Sequence, residues 1–304
     1  MTGGGGNLPA AAFILSIGRK LFRRGEIKTN MQKDKHLKKR RGWGFYVALI
    51  ILLAVFLFSS YKLIDGLLVS AKEKRDFAEL SAIVAANTDI PDSSALPDDE
   101  QGPLPQYLPL IEQNPDFFGW LAIEGTTIDY PVMYSPDRPE YYLHCAFDGS
   151  YSFSGVPFVD ERCPADGNFY LIYGHHMRNG TMFAQLPGYA NQSFCREHPL
   201  IRFDTCYEQR QYQVVAAFYS RVYAEDETGV FRYYDYVDLT DKEVFDEYMR
   251  QVRAAAIYDT GIDVSYGDEL LALSTCNYHT EDGRFVVVAK RCFEQEGTGL
   301  PSGK

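Results

Sequence analysis

A cysteine and an arginine stand at the two ends of one short polar stretch near the C-terminal end of the chain. Cys276 ends an apolar run, and Arg284 stands just before a second apolar run. The polar residues between them, 277–283, predict the connection of a β-hairpin. Such a hairpin would place a thiol at the end of one strand and a guanidinium at the start of the next. A thiolate is a nucleophile, and a guanidinium stays charged and can hydrogen-bond a developing oxyanion.

The His175-His176 pair could provide the acid/base group that a thiol nucleophile requires. The pair follows Gly174 at the end of another apolar run, 169–173, which predicts a strand. The partner of a nucleophilic cysteine is close to it in the fold and not in the sequence. The three strand ends together predict a thiol transferase whose nucleophile is Cys276. Taken singly, a cysteine that ends a buried strand is more often a small core residue, so the prediction depends on the combination.

Several further segments are similar in sequence to class B sortases, which are membrane-anchored cysteine transpeptidases. The matching segments occur in family order between about residue 107 and residue 291, and they are residues 114–121, 127–132, 147–155, 173–177, 181–183, 273–276 and 282–286. On these segments the chain resembles a class B sortase. The resemblance implies a mainly β fold, a closed sortase-type β-barrel of about eight strands with peripheral helices, preceded by an N-terminal transmembrane helix.

The resemblance also implies a reaction. Cys276 would attack a backbone carbonyl in the C-terminal sorting signal of an exported protein and form a thioester. Arg284 would stabilise the oxyanion, and His175 would protonate the departing amine and then deprotonate an incoming cell-wall amine. The implied partners are exported proteins with a C-terminal sorting signal, a peptidoglycan precursor or another wall amine, and the membrane of a Gram-positive cell. Class B members favour Asn-Pro-x-Thr-like signals, but some process other motifs or build pili, so the resemblance does not fix the motif. No cofactor and no metal are expected.

Six residues are candidates for substrate binding, and five of them are preferred. Ser274 and Thr275 flank the nucleophile, and either hydroxyl could assist the oxyanion. A tyrosine-rich segment precedes a predicted helix where the family binds its sorting motif, and its candidates are Tyr223, Tyr233, Tyr234 and Tyr236, of which the first, second and fourth are the preferred ones. Each of these tyrosines could equally be an ordinary core or surface residue.

Other histidines compete for the role of acid/base. In the family pattern this residue directly follows the glycine, which selects His175 over His176. His279 lies three residues after Cys276 in the predicted turn and is a weaker rival. Asp282 could orient a histidine or pair with the arginine, although a turn role in Asp-Gly is the ordinary expectation.

Three other classes of function compete with the transpeptidase. A zinc site could form from His175, His176 and Cys276, with His279 as a further candidate ligand, but adjacent residues on a strand point to opposite faces and the chain has no Cys-x-x-Cys pair. A hydrolytic cysteine peptidase would share the nucleophile and differ in the acceptor. A non-enzymatic surface-binding module would carry the cysteine incidentally.

The charge distribution predicts a membrane anchor. Residues 1–62 carry 12 basic and 2 acidic side chains, whereas the whole chain has a formal net charge of −11. Residues 43–61 are uncharged and mostly apolar, long enough to cross a bilayer as a helix, and a basic cluster at 38–41 precedes them. The positive-inside rule then puts the N-terminus in the cytoplasm and the catalytic domain outside. The acidic remainder carries no basic stripe for nucleic acid.

The predicted organisation has five parts. These are a cytoplasmic segment 1–42, a transmembrane helix 43–61, a helical and then Pro/Asp-rich stem 62–106, a catalytic domain 107–292 and a tail 293–304. Residues 1–30 are interpreted as an over-extended start, with Met31 as the natural first residue; the alternative is that they form a short cytoplasmic tail. All six cysteines follow the anchor, where an oxidising exterior permits disulfides, and the sequence indicates no pairing. A Thr240–Glu243 capping box predicts the start of a helix that continues through residues 244–256.

Overall fold

The structure is a computed structural model that describes residues 42–88 and 102–293. The predictions of a start at Met31, of a cytoplasmic segment and of a C-terminal tail fall wholly or almost wholly outside these residues, as does most of the Pro/Asp-rich part of the stem. The chain divides into two compact units, residues 1–60 and residues 61–304.

Eight strands and four α-helices make up the described structure. The strands are β1 (Phe117–Ala122), β2 (Asp129–Met133), β3 (Phe158–Val159), β4 (Phe169–Tyr173), β5 (Leu200–Thr205), β6 (Gln211–Arg221), β7 (Leu270–Cys276) and β8 (Gly283–Cys292). The helices are α1 (Trp43–Thr88), α2 (Leu108–Gln113), α3 (Gln192–Glu197) and α4 (Lys242–Ala255). Short 3-10 helices lie at Pro105–Tyr107, Tyr141–Leu143, Phe183–Ala190 and Tyr233–Asp235.

The strands form one closed barrel in the order β1-β2-β3-β4-β7-β8-β6-β5, and the pairing of β5 with β1 closes it. Six of the strand pairs are antiparallel, while β2–β3 and β4–β7 are parallel. The central strands read as almost continuous apolar runs and are buried throughout, as in β7. The prediction of a closed, mainly antiparallel barrel of about eight strands with peripheral helices is confirmed.

Helix α1 is long and apolar enough to cross a membrane, by length and composition. The large apolar side chains of its first half are exposed in the structure, as a lipid-facing helix requires. From Tyr61 onward, α1 belongs to the compact unit that contains the barrel. In this part Leu80 and Val84 are buried, and the ring of Phe77 packs edge-on against Tyr130 of β2 at 5.1 Å between centroids.

The cap of α4 differs from the prediction. Asp241, and not Thr240, is the N-cap residue, and its carboxylate accepts hydrogen bonds from the backbone N–H groups of Glu243 and Val244. The Thr240 hydroxyl instead donates to Asp238 at 2.7 Å. A carboxylate at the N-cap also interacts favourably with the helix dipole, which explains why the aspartate takes the position.

Candidate active site

The β7–β8 hairpin places Cys276 beside Arg284. Cys276 is the last residue of β7 and pairs directly with Arg284, the second residue of β8. The backbone N–H of Asn277 donates to the carbonyl of Gly283 at 2.8 Å and closes the hairpin. A Cβ at position 283 would lie 2.2 Å from the Asn277 carbonyl oxygen, so this close approach requires glycine. The hairpin therefore presents a thiol and a guanidinium side by side.

The parallel pairing of β4 with β7 brings His175 to the same edge of the barrel. Tyr173, the last residue of β4, is in register with Ser274. The backbone N–H of Gly174 donates to the Ser274 carbonyl at 3.1 Å, and the hydroxyl of Thr275 donates to the Gly174 carbonyl at 2.7 Å. Because parallel strands end at the same edge, the residue after Gly174 leaves the sheet next to the end of β7. Ser274 and Thr275 are thus buried residues whose hydrogen bonds hold the end of β7 next to the end of β4.

Gly174 leaves room for a buried aromatic ring. A Cβ at this position would lie 2.7 Å from the ring of Phe183, which is fully buried. The backbone N–H of Phe183 donates to the His175 carbonyl at 2.9 Å. The glycine and the ring together fix the backbone on both sides of the imidazole.

The imidazole of His175 is held by a backbone carbonyl. Its Nε2 lies 2.9 Å from the carbonyl oxygen of Leu143, and because a carbonyl only accepts, Nε2 donates. The ring is partly buried, and this burial lowers the pKa of His175 below its usual 6.5; the Leu143 hydrogen bond opposes the shift, and the charge of nearby His144 adds to it. Nδ1 is then the ring atom that remains to accept a proton.

The guanidinium of Arg284 keeps donors available. Its Nη1 donates to the carbonyl oxygens of Gly283 at 3.1 Å and Asp282 at 3.3 Å. In the described part of the chain, none of the ion pairs with a carboxylate involves Arg284. The remaining N–H groups can therefore bind an oxygen that becomes negative during a reaction.

Cys276, His175 and Arg284 line one open cleft of about 350 Å³. Its floor includes Tyr233, a buried residue whose hydroxyl lies 2.7 Å from the Ser274 hydroxyl. Burial raises the pKa of Tyr233 to about 12, so this phenol stays neutral at physiological pH. A cysteine thiol, an imidazole and a guanidinium around one solvent-open space are the groups that acyl transfer through a covalent intermediate requires.

Charged residues of the segment after β3 also line this cleft. The carboxylate of Asp160 is 2% exposed and accepts two hydrogen bonds from the guanidinium of Arg162, at 2.7 and 2.9 Å, and one from the Tyr173 hydroxyl at 3.0 Å. Arg162 also donates to the Tyr234 carbonyl at 2.8 Å, which ties the segment after β3 to the tyrosine-rich loop. The hydrogen bond to Asp160 raises the pKa of Arg162 above its usual value. Asp160 and Arg162 were not predicted from the sequence, although charged residues directly after a predicted strand are a recognisable signal.

The predicted tyrosines have different positions. Tyr233 lines the cleft, and so does Tyr234. Tyr223 and Tyr236 are not among the lining residues: the ring of Tyr223 lies under the guanidinium of Arg221, and Tyr236 packs against Tyr248 of α4. A role for Tyr223 or Tyr236 in binding substrate stays a prediction.

The rival histidines lie outside the lining of the cleft. His176 donates from Nδ1 to the Cys276 carbonyl at 3.0 Å, and its ring packs against Tyr278. His279 is exposed and contacts the side chain of Asn277 through Nδ1 at 3.0 Å. Asp282 has a positive φ of 51°, which is compatible with a turn role.

The described residues contain neither a disulfide bond nor a cluster of metal ligands. All six cysteines lie in the described part of the chain, and each is a free thiol. Within residues 42–88 and 102–293, no group of three or more His, Cys, Asp and Glu side chains is arranged to hold a metal ion.

Comparison with known proteins extends this picture. The sequence model of the sortase domain family matches residues 121–292, more than half of the chain. A sortase B of Listeria monocytogenes is 28% identical over 246 residues, which are 79% of this chain and 94% of the relative. The solved structure of a Staphylococcus aureus sortase B–substrate complex has a TM-score of 0.62 at 25% identity and covers 73% of this chain and 97% of that one. A solved sortase B complexed with Gly3 has a TM-score of 0.62 at 26% identity, with 73% and 98% covered.

The fold and these relatives define a cysteine transpeptidase. The chain belongs to the sortase family, and its relatives make it a sortase of class B.

Proposed function

We propose that this sortase cleaves a sorting signal near the C-terminus of exported proteins through a thioester on Cys276 and transfers the protein to a cell-wall amine. The observation that carries the proposal is that the Cys276 thiol, the His175 imidazole and the Arg284 guanidinium line one cleft. The relatives support the two kinds of partner, since one sortase B structure is a substrate complex and another is a complex with Gly3, which ends in an amine.

The first half-reaction forms the thioester. The Cys276 thiolate attacks the carbonyl carbon of the scissile peptide bond, and the oxygen becomes negative and accepts hydrogen bonds from Arg284. The carbon–nitrogen bond then breaks, and the departing amine takes a proton from the imidazolium of His175. The C-terminal fragment leaves, and the protein remains bound to sulfur.

The second half-reaction transfers the protein. An incoming amine gives a proton to the neutral imidazole of His175 and attacks the thioester carbon. The carbon–sulfur bond breaks, the thiolate of Cys276 is restored, and His175 carries the proton needed for the next cycle. Arg284 stabilises the oxyanion in both half-reactions. Substituting water for the amine would give hydrolysis with the same residues.

The enzyme acts at the cell membrane. Helix α1 is apolar and long enough to serve as a single anchor, and the basic residues before it favour a cytoplasmic N-terminus with the catalytic domain outside. In this arrangement the cleft meets proteins after export. The domain limits 43–61 for the anchor and 107–292 for the catalytic domain, with a stem between them, belong to the same proposal.

The test is incubation of the full-length protein in detergent with a library of peptides that carry Asn-Pro-x-Thr-like motifs, with and without triglycine. Mass spectrometry should detect a peptide–triglycine adduct and, before the amine is added, a covalent adduct on Cys276. The variant Cys276→Ala should give neither product. Hydrolysis products at equal rates with and without triglycine would indicate a peptidase, and an active Cys276→Ala variant would refute the proposal.

A further inference from the structure

Glu73 of α1 holds the loop that carries Leu143. The hydroxyl of Ser152 donates to one carboxylate oxygen of Glu73 at 2.7 Å, and the hydroxyl of Ser154 donates to the other at 2.7 Å. Both serines are buried, with 5% and 2% of their surface exposed. Hydrogen bonds to an ionised carboxylate are about twice as strong as neutral ones. One helix side chain therefore fixes two points of the β2–β3 loop.

The residue beyond Ser154 backs directly onto the Leu143 carbonyl. A Cβ on Gly155 would lie 2.5 Å from the Leu143 oxygen and 2.4 Å from the Tyr142 oxygen, and its φ of 58° is in the region that favours glycine. The backbone N–H of Gly155 donates to the Ser152 hydroxyl at 3.0 Å, and that of Val156 donates to the Tyr142 carbonyl at 3.0 Å. Because residues 152–156 are packed and hydrogen-bonded against Tyr142 and Leu143, we expect a displacement of these residues to move the Leu143 carbonyl.

The Leu143 carbonyl is the acceptor for Nε2 of His175. The next residue, His144, has its ring 5.7 Å from the His175 ring, and its carbonyl accepts from the backbone N–H of Ser152 at 3.0 Å. The loop that Glu73 contacts thus positions both the Leu143 carbonyl that binds Nε2 of His175 and the neighbouring ring of His144.

Helix α1 also touches the loop that bears His175 itself. The amide of Asn179 donates to the hydroxyl of Ser70 at 2.7 Å, and its carbonyl oxygen accepts from the backbone and hydroxyl of Thr181. Ser70 and Glu73 are three residues apart and so lie on one face of the helix. This face contacts two loops, the one that carries Leu143 and the one that bears His175.

We propose that Glu73 is a positioning residue for His175, acting through Ser152, Ser154 and the Leu143 carbonyl. The inference rests on the proposed function, in which His175 carries protons between the two amines. Glu73 does not line the cleft and does not touch the reacting atoms. Its effect is to keep Nε2 bonded and the imidazole in one orientation.

Ser81 offers a matched control for an effect that comes only from weaker packing of α1 against the barrel. It lies on the same helix and donates to the carboxylate of Asp129 in β2 at 3.0 Å, and this hydrogen bond does not involve the β2–β3 loop. The variant Ser81→Ala therefore loses a comparable hydrogen bond between α1 and the barrel, without loosening the Leu143 carbonyl.

The experiment measures kcat and KM of transpeptidation by the full-length protein, with the best peptide of the library and triglycine. Because a misplacement of about 1 Å in a reacting group costs about 100-fold, Glu73→Ala should lower kcat by about 10- to 100-fold with KM within about twofold. Glu73→Gln keeps the size and can bond both hydroxyls, so it should retain at least about half of the wild-type kcat. The double variant Ser152→Ala, Ser154→Ala should resemble Glu73→Ala, and Ser81→Ala should resemble the wild type.

A spectroscopic readout separates positioning from loss of structure. In protein labelled with 15N-histidine, the His175 signal should show the Nε2-protonated tautomer in the wild type and in Ser81→Ala. Glu73→Ala should show a mixture of the two tautomers, because the Leu143 acceptor is no longer fixed.

The inference is overturned if Glu73→Ala keeps kcat within about threefold of the wild type, if Ser81→Ala loses as much, or if the His175 tautomer is unchanged. Should Glu73→Ala not fold, the double serine variant is judged by the same criteria. Cys276→Ala separates this inference from the proposed function: if that variant is inactive while Glu73→Ala is fully active, only the positioning role is wrong.

Discussion

Replacing Arg284 by lysine tests whether the fixed fork of the guanidinium, and not its charge alone, stabilises the oxyanion. Nη1 of Arg284 already donates to two backbone carbonyls at 3.1 and 3.3 Å, which orients the group and leaves its other donors for substrate. A lysine ammonium is a compact charge without this geometry, so it cannot serve the carbonyls and an oxyanion in the same way. Loss of one oxyanion donor costs about 10²–10³ in kcat, or about 2.7–4 kcal/mol in the barrier.

The assay is steady-state transpeptidation with the peptide and triglycine, together with thermal unfolding. KM should stay within about twofold, because the oxyanion exists only in the transition state. Stability should change by less than about 0.5 kcal/mol, since Arg284 is partly exposed and its substitution breaks no ion pair. Arg221→Lys is the matched control: Arg221 ends β6, is paired with Glu227 and lies outside the cleft lining. Retention of more than about a tenth of kcat by Arg284→Lys, or an equal loss in Arg221→Lys, would refute the reasoning.

Three further changes follow from the geometry of the cleft. Gly174→Ala should lower the free energy of unfolding by about 1–3 kcal/mol in chemical denaturation, because the new Cβ meets the buried Phe183 ring at 2.7 Å; an unchanged value would show that the ring yields freely. Tyr233→Phe should cost about 1–3 kcal/mol by leaving the Ser274 hydroxyl unpaired, and adding Ser274→Ala should cost less than the sum of the single changes. Because burial lowers the pKa of His175, the fold resists protonation of the ring, so the wild type should lose stability relative to His175→Gln as the pH falls below 6.5; parallel pH curves would contradict this.

The sequence is most informative where a few neighbouring residues decide the structure. The hairpin that pairs Cys276 with Arg284 follows from two apolar runs and the polar connection between them, and the structure has its strand ends where the pattern predicts them. The strand before Gly174 is likewise predicted by neighbouring residues alone. The approach of that strand to β7 is different, because a parallel pairing across about 100 residues leaves no mark in the periodicity of either strand. The family resemblance, and not the spacing, predicted that His175 comes near the thiol.

Other parts of the cleft could not be predicted in this way. The acceptor for His175 is the backbone carbonyl of Leu143, and every residue has a carbonyl, so no residue type identifies it. Glu73 lies in a helical segment that the sequence assigns to a stem, and helical periodicity shows a buried face without showing which loop covers it. The directions of Tyr223 and Tyr236 depend on an irregular path around a 3-10 helix, for which residue spacing gives no rule.

In the proposed mechanism His175 both gives and takes a proton, and the Leu143 carbonyl suits this role. Burial lowers the pKa of His175, so only a fraction of the rings is charged near neutral pH, and the carbonyl hydrogen bond partly restores the charged form. A carboxylate in the same position would stabilise the imidazolium far more strongly and hold the proton that the departing amine requires. A neutral acceptor fixes the ring and its tautomer with a smaller bias toward the charged form. The two proposed half-reactions need the imidazolium in one step and the imidazole in the next, so an acceptor that fixes the ring without fixing its charge serves both.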